Sequence, residues 1–264
     1  MDKISVVIHT YNAEKHLTTV LESVRDFDEI LICDMHSTDK TIDIAQQYGA
    51  RIIYHENVGY ADPARTFAIQ SAKYEWVLMI DADEIVPPAL KEYLYELIGK
   101  PACPAGIRIP LRNYFMGRFM RCTYPNYVVR FFRREGTAWP PTVHSQPVVN
   151  GDVYTIPANR KDLAFIHLAN DSVDTFVRKM SIYTGFEVKR RKDSRYNYFS
   201  LLNETVFRFF KFFILKGAIL DGKPGLVYAG LLSIYKYVTI AKVWEAKYTY
   251  QDVDNDARKT GSLL

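Results

Sequence analysis

Over its first hundred residues the chain alternates four short β-rich runs with four helical patterns, and few architectures accommodate that order. Lys3–Ile8, Glu29–Cys33, Ala50–Tyr54 and Glu75–Ile80 read as strands, because β-branched and other apolar residues dominate each short run. Between and after them, Ala13–Val24, Ser37–Tyr48, Pro63–Lys73 and Pro88–Ile98 read as helices. Asn12 reads as the N-cap of the first helix. Ser37 or Thr38 starts the second and Gly49 stops it. Asp62 caps the third, with Pro63 at its first position. One helix per crossover predicts an α/β fold with a mostly parallel sheet covered on both faces. In such sheets the ligand lies beyond the carboxyl ends of the strands, which directs attention to Thr10, Tyr11, Asn12, Asp34 and the residues from Asp81 onward.

Beyond residue 100 the pattern breaks. Ala105–Arg112 and Tyr127–Arg133 read as strands, Ala138–Pro147 as a proline-rich loop, and Val148–Pro157 as holding another short strand. Helical patterns run from Asp171 through Lys192, over Tyr198–Lys216, and over Leu226–Lys247, with a break at Gly217–Gly225. The expected organisation is one α/β domain in two halves, 1–100 and 101–168, then a helical extension, 169–248, and a flexible tail, 249–264. A length of 264 residues suits one such domain with an appendage.

The net charge of +4 hides an asymmetry. Residues 1–100 hold 9 Lys/Arg against 17 Asp/Glu, whereas the remainder holds 25 against 13. Three cysteines with no close pair argue against a disulfide framework or a cysteine zinc site, and for a reducing compartment. The first eight residues lack the features of a signal peptide. The apolar stretch Gly225–Tyr235 is cut by Lys236, so no membrane-spanning helix is expected. Dinucleotide-binding, P-loop and nucleophile-elbow motifs are absent from the sequence.

The strongest chemical signal is Asp81-Ala82-Asp83-Glu84, directly after the fourth strand. Two carboxylates one residue apart at a strand's carboxyl end can converge on a hard divalent cation, Mg2+ or Mn2+, that also binds phosphates. The competing reading is an acidic surface turn. Asp34 ends the second strand and suits a ribose or base, or a plain helix cap. Arg65 on the third helix suits a phosphate or carboxylate, or solvent.

Together, Val6 to Asn12, Asp34 to Thr41, Ala64-Arg65 and Asp81 to Glu84 resemble the family 2 glycosyltransferases over about residues 1–100. That resemblance implies the GT-A fold, with 1–100 as the nucleotide-sugar (donor) half and 101–168 as the acceptor half. It places Thr10, Tyr11 and Asn12 at the uracil or ribose, Asp34 at the nucleoside and Arg65 near the donor phosphates. Asp81, with Ala82, falls at the ribose or sugar, and Asp83 on the metal. Departures are Thr66, where the family usually carries Asn, and a single Asp34, where it usually carries a pair. Arg112-Asn113-Tyr114, Met116-Gly117-Arg118, Val129 to Arg134 and Leu220-Asp221-Gly222 resemble the subgroup that includes lipopolysaccharide-core β-glucosyltransferases. That subgroup usually reads Val-His-Glu, and here Val143-His144-Ser145 stands in its place. His144 is therefore the candidate base, with a metal or phosphate contact or an ordinary loop histidine as alternatives. His167 reads as a satisfied core histidine. The resemblance implies a metal-dependent inverting transfer from a nucleotide sugar, with UDP as the expected carrier. The expected acceptor is a glycan or lipid-linked molecule of the cell envelope. A polyprenyl-phosphate acceptor and an inactive binding or scaffold module are the other readings.

The basic, aromatic remainder has its own expectation. Lys189, Arg190, Arg191 and Lys192 form a dense cluster, followed by helices rich in Phe and Tyr. Such segments suit an acceptor or an anionic membrane surface, or simply a packed helical pair. Nucleic acid is not an expected partner, because no recognised motif accompanies the charge. The expected location is cytoplasmic, on the inner face of the membrane.

Overall fold

The computed structural model describes residues 2–59, 62–141, 146–168, 172–191 and 194–247, with Lys189 described by its backbone alone. The candidate base His144, Lys192 of the basic cluster and the tail 249–264 lie outside the described residues. The chain divides into two compact units. One comprises residues 1–114 and 123–169, the other residues 115–122 and 170–264.

In the first unit, β1 (Ile4–Thr10), α1 (Glu14–Val24), β2 (Glu29–Asp34), α2 (Thr41–Gln47), β3 (Arg51–Tyr54), α3 (Asp62–Ser71) and β4 (Trp76–Asp81) follow the expected alternation. A two-residue strand β5 (Glu84–Ile85) and α4 (Pro88–Ile98) come next, followed by the long β6 (Gly106–Phe115). The short β7 (Arg118–Phe119) belongs to the second unit. Then come β8 (Asn126–Arg133), β9 (Thr137–Ala138), β10 (Val148–Val149), β11 (Val153–Thr155) and β12 (Phe165–His167). The main sheet runs β3-β2-β1-β4-β8-β6-β12-β5. Its first four strands are parallel, as one-helix crossovers require. Then β8 runs antiparallel to both β4 and β6, while β12 is parallel to β6 and antiparallel to β5.

Alternation along the strands builds two cores. Val6, Ile8, Ile32, Leu78 and Ile80 meet Leu17, Val20 and Leu21 of α1 and Leu90 and Leu94 of α4 on one face. Val7, Leu31, Val77 and Met79 meet Ala64, Ala68 and Ile69 of α3 and Trp139 on the other. Both faces are thus apolar, which explains why β1, β2 and β4 read as unbroken hydrophobic runs.

Local starts differ from expectation at two helices. The first helix is capped by Ala13, and Asn12 instead sits at φ +49 with its Oδ1 accepting from the Thr38 N–H at 2.8 Å. The second helix begins at Thr41. Asp39 accepts from the Thr41 N–H at 3.0 Å, so Ser37 and Thr38 are left to the preceding loop. Asn and Asp satisfy such local backbone donors readily, which is why a cap and a loop brace look alike in sequence.

The second unit contains α5 (Val173–Arg191), α6 (Tyr198–Phe210) and α7 (Gly222–Glu245). Its core gathers Phe115, Met120, Phe176, Met180, Ala218 and Leu231. The buried Asp221 carboxylate accepts from the Arg121 and Cys122 N–H groups, each at 3.0 Å. The expected break at Gly217–Gly225 is shorter than predicted. Gly217 turns the chain at φ +73, and α7 already starts at Gly222. Pro224 falls in its first turn, where its missing N–H has no intrahelical partner to lose. Lys236, which was expected to cut the apolar stretch, lies inside this helix. It is 8% exposed, and its Nζ lies 2.5 Å from Glu204 of α6. The stretch Ala218–Glu245 is therefore long and apolar enough to cross a membrane, contrary to expectation, although 33% of its most apolar window is buried within the protein.

At Gly225 a Cβ would lie 1.8 Å from the Ala218 carbonyl oxygen, whereas one at Gly230 meets nothing within 4 Å. Gly225→Ala is expected to lower stability by about 1–3 kcal/mol in urea unfolding followed by circular dichroism. Gly230→Ala is expected to raise it by up to about 1 kcal/mol. Equal effects of the two would contradict this packing.

Candidate active site

The predicted donor-site and metal residues Thr10, Tyr11, Asn12, Asp34, Arg65, Asp81, Ala82 and Asp83 gather where the parallel strands end. Three linked groups of side chains occupy that edge.

At the ends of β1 and β2, Asp34 is fully buried. Its carboxylate accepts from the Thr10 hydroxyl at 2.7 Å and from the Ser37 N–H and hydroxyl at 2.8 and 2.6 Å. Three of its roughly four acceptor positions are therefore spent inside the protein. Asp34 orders the loop that carries His36, while Asn12 braces the same loop from the other side through Thr38. Tyr11 stands half exposed beside them. His36, at φ +59, stacks on Tyr54 with ring centroids 5.8 Å apart.

At the end of β4, Asp81 is held by two arginines. Arg65 Nη2 donates to its Oδ1 at 2.8 Å, and Arg130 Nη2 donates to its Oδ2. The same Arg130 nitrogen reaches Glu84 Oε1 at 3.0 Å, and Glu84 Oε2 accepts from the Asp81 N–H at 2.9 Å. The side chains of Arg65, Arg130 and Glu84 are 9%, 6% and 1% exposed, against 31% for Asp81, so the network opens to solvent through Asp81. Trp139 lies under both guanidinium groups, 4.5 Å from Arg65 and 5.8 Å from Arg130. Thr66 fixes that ring by exchanging hydrogen bonds between its hydroxyl and the Trp139 backbone N–H and C=O, at 2.8 and 2.9 Å.

Burial disfavours charge on Asp81, but Arg130 and then Arg65 outweigh it and hold the carboxyl well below the usual range. On Glu84 burial wins, and its pKa is raised. On Arg130 the attraction of Asp81 and Glu84 overcomes burial and strengthens the charge. His9 pairs in register with Asp81 across β1 and β4. Burial, and then Arg65, lower its pKa to about 3, so its ring is neutral at working pH.

The third group joins Asp83 to His167. Strand β12 sets His167 in register between Asn113 of β6 and Glu84 of β5. His167 Nδ1 lies 2.6 Å from Asn113 Oδ1. The Asn113 amide is itself oriented by donating from Nδ2 to the Thr123 hydroxyl at 3.2 Å. Because the Asn113 oxygen can only accept, His167 carries a proton on Nδ1, which leaves Nε2 as the nitrogen that can act as a ligand. That nitrogen faces Asp83 Oδ1 at 3.6 Å. An imidazole nitrogen and a carboxylate oxygen turned toward each other at this distance fit a shared cation, and the Asn113 contact is the support that metal-binding histidines commonly have. A pair of protein ligands suits a hard divalent ion that takes its other ligands from phosphates and water. Among the described residues no group of three or more His, Cys, Asp or Glu side chains forms a metal-sized cluster.

His167, expected from the sequence as a satisfied core histidine, is half-buried in the sheet with Asn113 as its partner, and it also faces Asp83. Arg130, Glu84 and Trp139 had no role in that reading. One signal was present: an arginine inside Val128-Val129-Arg130-Phe131-Phe132 must find a buried counter-charge. In the basic cluster, Arg190 and Arg191 both pair with Glu187, and Arg191 also reaches the Tyr196 hydroxyl at 3.2 Å.

The sheet, parallel over β3-β2-β1-β4 and mixed beyond, is that of the GT-A fold. The chain belongs to glycosyl transferase family 2, whose model matches residues 5–145. An uncharacterized glycosyltransferase of Rickettsia felis is 25% identical over 264 residues, covering 93% of this chain and 91% of that protein. LpsC of Rhizobium meliloti, described as a lipopolysaccharide core biosynthesis glycosyltransferase, is 27% identical over 256 residues, covering 92% of each. The crystal structure of residues 1–349 of TarS from S. aureus matches with a TM-score of 0.48 at 17% identity, covering 94% of this chain and 93% of that one.

The neutral His9 gives stability a sign with pH. An unfolded imidazole takes a proton below about 6.5, but the folded one does not until about 3. Its contribution is therefore complete above pH 6.5 and falls as the pH drops toward 3. Between pH 7 and 5 the loss is expected to be about 2 kcal/mol in urea unfolding. His9→Asn is expected to remove that part of the slope, and an unchanged slope would contradict the assignment.

Proposed function

We propose that the protein moves a sugar from a nucleotide sugar, of which a UDP-sugar is the expected form, to a cell-envelope glycan or lipid-linked acceptor such as lipopolysaccharide core. The reaction is a metal-dependent inverting transfer at the cytoplasmic face of the membrane. The observation that carries it is the facing pair Asp83 and His167 beside Asp81 at the strand ends. The LpsC likeness over most of both chains supports the envelope acceptor.

Asp83 and His167 are the residues that would hold Mg2+ or Mn2+. When bound there, such an ion supplies positive charge to the departing diphosphate. Asn113, bonded to His167 Nδ1, would hold Nε2 in position to bind such an ion. Asp81, ionised and fixed by Arg65 and Arg130, presents an acceptor to a ribose or sugar hydroxyl. Arg65 and Arg130 add positive charge beside the phosphates. Thr10, Asn12 and Asp34 shape the nucleoside end by ordering its loops, with Tyr11 exposed there and Ala82 carrying the chain from Asp81 to Asp83. His144 is the proposed base: it takes the acceptor hydroxyl's proton as that oxygen attacks the anomeric carbon and the nucleoside diphosphate leaves.

Asp83→Ala is expected to abolish transfer and acceptor-free hydrolysis of the donor while leaving circular dichroism unchanged. Retained turnover at ordinary metal concentrations would refute the metal assignment. Asn113→Ala is expected to raise the metal concentration for half-maximal rate by about 10- to 100-fold, with the maximal rate largely recovered. An unchanged metal requirement would leave His167 without its supporting contact.

A further inference from the structure

Helix α6 and the single turn of wider helix that continues it, Lys211–Leu215, contain no buried residue. Their exposed positions recur in pairs every four residues, at 198–199, 202–203, 206–207, 210–211 and 214–215. These pairs define the outward face of a continuous helix. In water that face should be polar. Here eight of its ten residues are large and apolar, and only Asn203 and Lys211 are not. Phe199, Leu202, Val206, Phe210 and Ile214 form one ridge, 76%, 65%, 53%, 50% and 56% exposed. Leu215 and Leu220 prolong it past the helix end at 75% and 71%.

Charge decides what covers this ridge. From Thr205 to Leu220 every charged residue is basic: Arg208, Lys211 and Lys216. Glu204, just before them, is already paired with Lys236. A second copy seated on the ridge by two-fold symmetry would bring these cations toward their own copies. A bilayer with anionic headgroups meets both features, taking the apolar side chains below the headgroups and the lysines among them. The buried Lys236, ion-paired with Glu204, puts a charge satisfied within this unit in the middle of α7, which suits packing on α6 better than contact with lipid.

We infer that the α6 ridge and the following turn to Leu220 are the surface by which the protein inserts shallowly into an anionic membrane, lying in the interface without crossing it. The inference rests on the proposed envelope role only in making a membrane the place where the acceptor is met.

Co-sedimentation of the full chain with vesicles tests it. Binding is expected to vesicles holding about 30 mol% anionic lipid and to weaken as salt rises. It is expected to be at least about tenfold weaker on purely zwitterionic vesicles. The triple variant Leu202→Ser/Val206→Ser/Leu215→Ser alters only exposed positions and is expected to keep its circular dichroism and donor hydrolysis while losing binding by at least about tenfold. Lys211→Glu/Lys216→Glu is expected to lose the anionic preference. Failure to bind anionic vesicles at low salt, or undiminished binding by the triple variant, overturns the inference. So does binding that survives alkaline carbonate, which would make α7 a span. A concentration-dependent dimer dissolved by the triple variant, without vesicle binding, gives the ridge to a second copy and overturns it too. Donor hydrolysis in the same preparations separates the two claims. Hydrolysis without vesicle binding removes only the membrane surface, and vesicle binding without hydrolysis removes only the enzymatic reading.

Discussion

Asp81 is an anion clamped between two nearly buried arginines, and the geometry of the site depends on that clamp. Neither guanidinium is tolerable in such a place without a counter-charge, since removing one partner of a buried pair typically costs about 3–5 kcal/mol. Asp81 supplies that charge to both, with Glu84 as a second acceptor for Arg130. The clamp ties three distant segments together: α3 through Arg65, β4 through Asp81 and β8 through Arg130. Trp139 beneath both cations and Thr66 against the Trp139 backbone bring in a fourth. Because Glu84 also accepts from the Asp81 N–H, the turn that presents Asp83 has little freedom. Asp83 is set opposite His167 by the antiparallel pairing of β5 with β12, in which the Leu168 N–H donates to the Asp83 carbonyl oxygen at 2.9 Å.

Much of this was legible in the sequence where the determinants are local. The strand–helix alternation emerged because β1, β2 and β4 are buried on both faces and read as apolar runs, with the edge strand β3 marked by its β-branched residues. Asp34, Arg65, Asp81 and Asp83 stood out because they end strands or follow a helix start. What stayed hidden depends on pairing between segments far apart. Nothing near His167 in the chain reveals that β12 lies between Asn113 and Glu84. Arg130 was visible as a lone charge in an apolar run, but its partners lie 46 and 49 residues away. Thr66 looked like a departure from the family pattern, yet its hydroxyl fixes the Trp139 backbone. Asn12 misled for the opposite reason, since its short amide serves a cap and a loop brace equally well.

The second unit shows how local signals mislead when tertiary contacts override them. Pro224 read as part of a break before the last helix, and Lys236 as the end of its apolar stretch. Pro224 is harmless because it falls in a first turn, and Lys236 because Glu204 meets it. The result is a longer apolar helix whose polar demands are met internally, beside an α6 whose outward face is apolar. Hydrophobic patterning alone cannot separate a core-facing stripe from a solvent-facing one, because both have the same period.

The central claim is that the strand-end cluster binds a nucleoside diphosphate together with a divalent ion held by Asp83 and His167. Thermal unfolding with UDP, with and without Mn2+ or Mg2+, tests this most directly, because a ligand of the native state stabilises it by about 2.7 kcal/mol at a hundredfold excess over its Kd. The account predicts a UDP-induced rise in Tm that requires the metal and vanishes in His167→Ala. A rise of equal size in the presence of a chelator, or one untouched by His167→Ala, would contradict it.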